Sequence, residues 1–331
     1  MLGIRRRIPS GAILCFHGVT TPALPSHSDV HVSLERFKAL IAAARDVGQL
    51  VPLRDLVGRH LVGRSTAGLV AITMDDAYAS LLGDAADFVR RDAIPLTLFV
   101  VTRAAALGAS YWWDRIDDVF PRVSRARWRT FEEAAGLPAE YRTRQLALYG
   151  PLRPLRQWIL AAHTGRWPGE LDLLLHGLEQ ETGVHTLQRS MTFEELAGFA
   201  SLPSVDIAVH TVSHPVLPLL PNPELHREIT ACYDALRERY ANVVPILAIP
   251  FGLFDTRTVH AAREAGMITS LTLAGTMLKQ QRDRDELPRF CMSRRDTALK
   301  LRLRLAGVFE RFRTWRAGAT PRYPALPSPT T

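Results

Sequence analysis

The chain has 331 residues and 47% hydrophobic content, enough for one large core or two modest ones, and a single α/β barrel of ~250 residues with extra segments fits that length. Its formal net charge is +8, but eight Lys/Arg against Asp296 and Glu310 between Arg294 and Arg316 supply six of that excess. This excludes a nucleic-acid enzyme that is basic throughout and leaves one basic appendage.

Cys15, Cys232 and Cys291 are odd in number and widely spaced, with no Cys-x-x-Cys, so the spacing suggests neither a disulfide framework nor a thiolate zinc site. Residues 1–10 form a basic segment with Arg5, Arg6 and Arg7, not followed by a secretory apolar region. No stretch of ~18 uncharged apolar residues occurs, so no transmembrane helix is expected. The expected address is the cytoplasm, with the inner membrane face as a peripheral alternative.

In chain order, short apolar runs alternate with helical patterns, as in parallel α/β proteins. Ala12 to Phe16 reads as the first strand, with Cys15 as a buried thiol. A helix starts near Ser33, a good N-cap, and carries Phe37, Leu40 and Ile41 on one face. Leu69 to Met74 is the next strand, followed by a helix through Leu81, Leu82, Ala85 and Val89, then a strand from Leu96 to Val101.

From about 110 to 190 the rhythm changes. Trp, Arg and Leu recur at helical spacing with Pro151, Pro154 and Pro168 as breaks, so a helical insertion is expected. Strands then return at Val205 to Val209, Ile246 to Ile249 and Ile268 to Leu273, with helices at 223–240 and 256–266 between them. Segment 296–318 reads as a basic amphipathic helix, with Leu301, Leu305, Val308, Phe312 and Trp315 on one stripe. It is either packed on the barrel or laid on anionic lipid. Residues 319–331, rich in Pro, Ser and Thr, are expected to be disordered.

Four motifs fall at strand ends. Asp75 and Asp76 follow Leu69–Met74; adjacent carboxylates repel unless a cation or proton separates their roles, although a plain helix N-cap is the simpler alternative. His210 and His214, four residues apart, follow Val205–Val209 and can meet one metal if the segment turns helically. Taken alone they are as well read as surface histidines. With Asp76 they form two imidazoles and one carboxylate, a three-ligand site of the open, catalytic kind. Ile249-Pro250-Phe251-Gly252 ends another strand, either as an ordinary turn or as a groove wall whose N–H meets a carbonyl oxygen. Cys15-Phe16-His17-Gly18 ends the first in the same manner. Barrel enzymes place their chemistry at this end of the strands.

At these residues the chain resembles the NodB-homology polysaccharide deacetylases, carbohydrate esterase family four. Thr73-Met74-Asp75-Asp76-Ala77 is similar to the family's first motif, His210 to His214 with Pro215 to its second, and Ile249-Pro250-Phe251-Gly252 to the third motif of one branch. His17 and Leu287-Pro288-Arg289 match further positions of that branch. The resemblance covers residues 11–295, interrupted by the insertion. It implies Asp75 as general base, Asp76, His210 and His214 as ligands of one divalent ion, and the Phe251 N–H as an oxyanion donor. Zinc is the first choice of metal, with cobalt, manganese or nickel as alternatives.

This chain departs from the pattern at Ala77, in place of glycine, and at Met74, in place of an aromatic. An arginine of the longer third motif is absent at Ala248, and Arg289 is the candidate to supply its charge beside Asp75. No histidine follows His260, so the usual C-terminal acid is missing and His17 is the candidate substitute. Pro250, Gly252, Tyr78 and Trp113 are assigned to the substrate; the aromatic run Tyr111-Trp112-Trp113 serves either a sugar face or the docking of the insertion.

The expected architecture is a distorted (β/α) barrel of the NodB type with a helical insertion and a C-terminal basic helix. The expected activity is metal-dependent removal of an acyl group, acetyl first, from an N-acylated glycan or lipid-linked precursor. A catalytically silent carbohydrate-binding protein and a deformylase of a lipid-linked amino sugar are the alternatives. Expected partners are the N-acylated glycan and, through residues 294–316, an anionic membrane surface; nucleic acid is not among them.

Overall fold

The computed structural model describes residues 8–142, 152–279 and 285–308. Eight strands form its frame: β1 (Ala12–Phe16), β2 (Leu69–Met74), β3 (Leu96–Val100), β4 (Val205–Val209), β5 (Val243–Ala248), β6 (Thr269–Thr272), β7 (Glu286–Pro288) and β8 (Phe290–Cys291). They lie in the order β7-β6-β5-β4-β3-β2-β1-β8, every pair parallel. The first six are short and almost wholly buried, the pattern of strands covered on both faces; the first five are mainly apolar, and β6 is hydroxyl-rich.

β7 and β8 stand at opposite ends of this order, yet only Arg289 separates them in sequence. Pro288 pairs with Thr272 of β6, and Phe290 pairs with Leu14 of β1. One kinked strand thus bridges the seam and nearly closes the sheet into a distorted (β/α) barrel. Closure of this kind satisfies edge groups that an open sheet would expose.

Alternate strand residues face opposite ways. Ile13, Ala71, Phe99, Ala208, Ile246 and Leu271 share an interior cluster, while Leu14, Ile72, Leu98, Ile207 and Leu247 join the larger cluster beneath the outer helices. The helix Leu53–Leu61 contributes Leu53, Leu56 and Val57 to the interior cluster, and its Arg54 pairs with Asp206 near the start of β4. It plugs the N-terminal end of the barrel, so the opposite end is the one left open for chemistry.

Outside, the Ser33 hydroxyl accepts the Arg36 N–H and starts the helix Leu34–Val47, which buries Phe37, Leu40 and Ile41 as its spacing predicts. The helix expected through Leu81 and Val89 is divided. A 3-10 turn at Ala79–Leu81 and the helix Asp84–Arg91 meet at Gly83, whose φ of 68° no continuous helix allows.

Between β3 and β4 the described residues form helices only, among them Trp112–Val119, Arg125–Ala134, Arg153–Ala162 and Gly169–Thr182. These helices have a core of their own, built on Trp112, Ile116, Trp128, Phe131, Leu155 and Leu175. The insertion rejoins the barrel where the Met191 N–H bonds to the Ala77 carbonyl and the Ala79 N–H to the Arg189 carbonyl. Its return path therefore buttresses the loop that carries Asp75 and Asp76.

Of the two readings of the basic helix, its described part takes the packed one. Over Ala298–Leu305 it packs against Leu34–Val47, with Leu301 and Leu305 buried in the main core. Arg302 pairs with Asp46, and Lys300 and Arg304 share Asp296. The apolar stripe expected to meet lipid is thus occupied at these two positions. Phe312, Trp315, the remainder of that segment and the tail 319–331 lie outside the described residues. Among the described residues no helix is long and apolar enough to cross a membrane.

Candidate active site

The loops after β1, β2, β4 and β5, with the strand β8, bring the predicted residues to one cavity of about 560 Å³. His17, Asp75, Asp76, His210, His214 and Phe251 all line it.

Asp76, His210 and His214 are buried, and one donor atom from each lies within 4.8 Å of the other two. Asp76 Oδ1 is 3.6 Å from both His210 Nε2 and His214 Nε2. Local geometry prepares this set. The His210 Nδ1–H donates to the Ala248 carbonyl at 2.8 Å, which leaves Nε2 as a free acceptor facing Asp76. The Thr211 hydroxyl accepts the His214 N–H at 3.0 Å and fixes the turn between the two histidines. Asp76 Oδ1 is buried with no hydrogen-bond partner among the described residues. Such an orphaned acceptor is costly unless something positive meets it, and the three donors suit a zinc-type divalent ion.

The backbone is strained at the same places. Asp76, Ala77, Thr211, His214 and Phe251 all have φ between 46° and 69°, a region that non-glycine residues seldom adopt. At Ala77 this gives the physical reason for the glycine of the motif it resembles.

Electrostatics follow from burial. Burial, partly opposed by His17 and reinforced by Asp75, pushes Asp76 up to about 7. It lowers His210 to about 4 and drives His214, beside His210, well below the ordinary histidine value. The histidines are therefore neutral, as ligands must be. Asp75 differs: burial would raise it, but Arg289 and His210 outweigh that and hold it well below the usual carboxylate range. Arg289 donates Nη1–H to Asp75 Oδ1 at 2.6 Å and Nη2–H to Oδ2 at 2.7 Å. Arg289 is itself fully buried, with its guanidinium 5.4 Å from the Phe99 ring centre. Burial disfavours charge on His17, yet Cys291, Asp75 and Asp76 raise it to about 9, so it carries a proton at neutral pH.

Phe251 sits at the tip of the 3-10 turn Pro250–Gly252. Pro250 and Gly252 do not line the cavity; they shape the turn, and a Cβ on Gly252 would press Leu273 at 3.0 Å. Gly165 of the insertion packs so closely on the Phe251 ring that a Cβ there would lie 2.7 Å from it. Trp113 lines the cavity, stacks on Tyr111 at 4.7 Å and meets His214 at 5.0 Å.

Tyr78 is corrected. It is fully buried and outside the cavity, where its hydroxyl donates to Asp114 at 2.6 Å and accepts the Trp113 indole N–H at 2.9 Å. It supports Trp113 and cannot reach a substrate. The sequence reading missed the far wall, which Arg156, Gln157, Leu160 and Ala161 of one insertion helix build with Leu253 and Leu273. The helical spacing of that segment was visible; which face would roof the barrel was not.

Residues 182–269 match the family described as polysaccharide deacetylase. No curated protein matches the chain in sequence. The fold is that of solved deacetylases. Streptococcus pyogenes deacetylase PplD, in complex with acetate, superposes with a TM-score of 0.58 at 12% identity, over 90% of this chain and 98% of that one. IcaB from Ammonifex degensii gives 0.56 at 18% identity, over 90% and 97%. A de-N-acetylase from Aggregatibacter actinomycetemcomitans gives 0.54 at 13%, over 88% and 98%.

Proposed function

We propose that this chain, which is of the polysaccharide deacetylase type in its matched segment and its fold and so a hydrolase of carbon–nitrogen bonds, removes an acyl group, acetyl first, from an N-acylated sugar with one divalent ion held by Asp76, His210 and His214. The observation that carries this reading is the buried, partnerless Asp76 Oδ1, 3.6 Å from two imidazole nitrogens on the cavity wall.

A zinc-type ion held there would polarise the acyl carbonyl and lower the pKa of a water toward ~7. Asp75 takes the proton of the attacking water. Arg289 keeps that carboxylate ionised and aimed; Oδ2 also accepts from the Cys15 thiol, and Oδ1 retains a lone pair beyond the one Arg289 occupies. The Phe251 N–H, carried on its strained turn, stabilises the developing oxyanion. His17, protonated at neutral pH and lining the same cavity, gives its proton to the leaving amine. Trp113 presents a flat apolar face to the sugar ring.

Metal content of the purified chain, measured beside acetate or formate release from a panel of N-acylated glycans, tests the reading. One divalent ion at Asp76, His210 and His214 and acyl release are expected, with both lost in His210→Ala and His214→Ala. Unchanged metal content in both variants would overturn the ligand assignment, and no release from any glycan would favour a silent binder.

A further inference from the structure

β1 and β8 are neighbours, and their register places Cys15 directly beside Cys291, although 276 positions separate them in sequence. His17, two residues beyond Cys15, turns toward the same spot. One donor atom from each of Cys15, His17 and Cys291 lies within 4.8 Å of the other two. The nitrogen His17 Nδ1 is buried without a hydrogen-bond partner among the described residues. Cys15 is fully buried, whereas Cys291 and His17 line the cavity and give a path in from solvent. Cys15 Sγ meets Asp75 Oδ2 at 3.4 Å and the Phe16 carbonyl at 3.8 Å, and Cys291 Sγ meets the Met292 carbonyl at 3.9 Å; Cys291 also hydrogen-bonds to Cys15 and to His17. Two thiols and an imidazole gathered on one another in this way are a soft-cation ligand set, which the wide cysteine spacing did not suggest.

We propose that Cys15, His17 and Cys291 form a second cation site, selective for soft, thiophilic divalent ions, separated from the Asp76–His210–His214 set by the Asp75 carboxylate. Binding there releases the two thiol protons and the His17 imidazolium proton to solvent and leaves two thiolates and one neutral imidazole on the cation. It withdraws His17 from proton donation, since the imidazole nitrogen that would carry the proton is taken by the cation. Occupancy therefore inhibits hydrolysis; that consequence rests on the function proposed above, while the site itself does not.

The test uses the full chain titrated with Co²⁺ and with Cd²⁺, read by the near-ultraviolet sulfur-to-metal charge-transfer absorbance that only thiolate ligation gives. Wild type is expected to develop the band to saturation at one thiolate-bound ion per chain. Cys291→Ser and Cys15→Ser should each abolish it, and His214→Ala should keep it, which separates this site from the first. Cys291 is the safer position, being only partly buried, and an unchanged thermal unfolding midpoint identifies a folded variant. A wild type without the band, or a band that survives both serine variants and so arises at Cys232, would overturn the proposal.

Discussion

Arg289 grips both carboxylate oxygens of Asp75, at 2.6 and 2.7 Å, across 214 residues of sequence. It can do so because it is the single residue between β7 and β8, where the barrel seam is bridged. The same residue that closes the fold holds the proposed base in its charged form.

Arg289→Met should therefore damage both. Leaving Asp75 buried and unpaired costs about 3–5 kcal/mol, read as a lower denaturant midpoint, and hydrolysis should fall with it. Asp75→Asn should keep one bound ion yet release no acyl group, because the amide cannot take the proton of the water. Full activity in Asp75→Asn would remove it as the base.

Tyr78 and Trp113 should separate structure from binding. Tyr78→Phe deletes the donor to buried Asp114, a loss of about 1–3 kcal/mol in stability with KM nearly unchanged. Trp113→Ala opens the cavity wall and should raise KM instead. A raised KM in Tyr78→Phe with unchanged stability would contradict the assignment of Tyr78 to support.

The frame was legible where elements were continuous. β1 to β5 are mainly apolar runs, and Asp75, His17 and His210 immediately follow three of them. β7 and β8 were hidden because they have three and two residues, and Pro288 argues against a strand. Tyr78 was misassigned because adjacency to Asp76 says nothing of direction: Asp76 and Ala77, at φ 67° and 46°, turn the chain so that Tyr78 goes beneath the cavity. The nearness of Cys15 to Cys291 was illegible for a different reason, since only strand register creates it.

The helix Ala298–Leu305 should act as part of the barrel. Leu305 is fully buried in the main core, so Leu305→Ala should cost about 2–5 kcal/mol, measured by denaturant unfolding. A change within experimental error would mean that the helix is not docked.

Acid should weaken the junction that braces the loop carrying Asp75 and Asp76. Arg189, with the Thr192 cap, lowers Glu195 from 4.5 to about 2. A depressed carboxylate stabilises the fold fully above 4.5 and loses that contribution as pH falls through about 2. Because the pair is partly exposed, its worth is under about 1 kcal/mol. Glu195→Gln should lower stability slightly at neutral pH and match wild type below pH 2; an equal deficit at both would place the effect elsewhere.

Hydrolysis of an N-acylated sugar should depend on one ion held by Asp76, His210 and His214. Acetate release from N-acetylated oligosaccharides by the chelator-stripped chain, with zinc added back in sub-stoichiometric steps, measures it directly. No release is expected without metal, and recovery should saturate near one equivalent per chain. Undiminished release by the stripped, metal-free protein would contradict it.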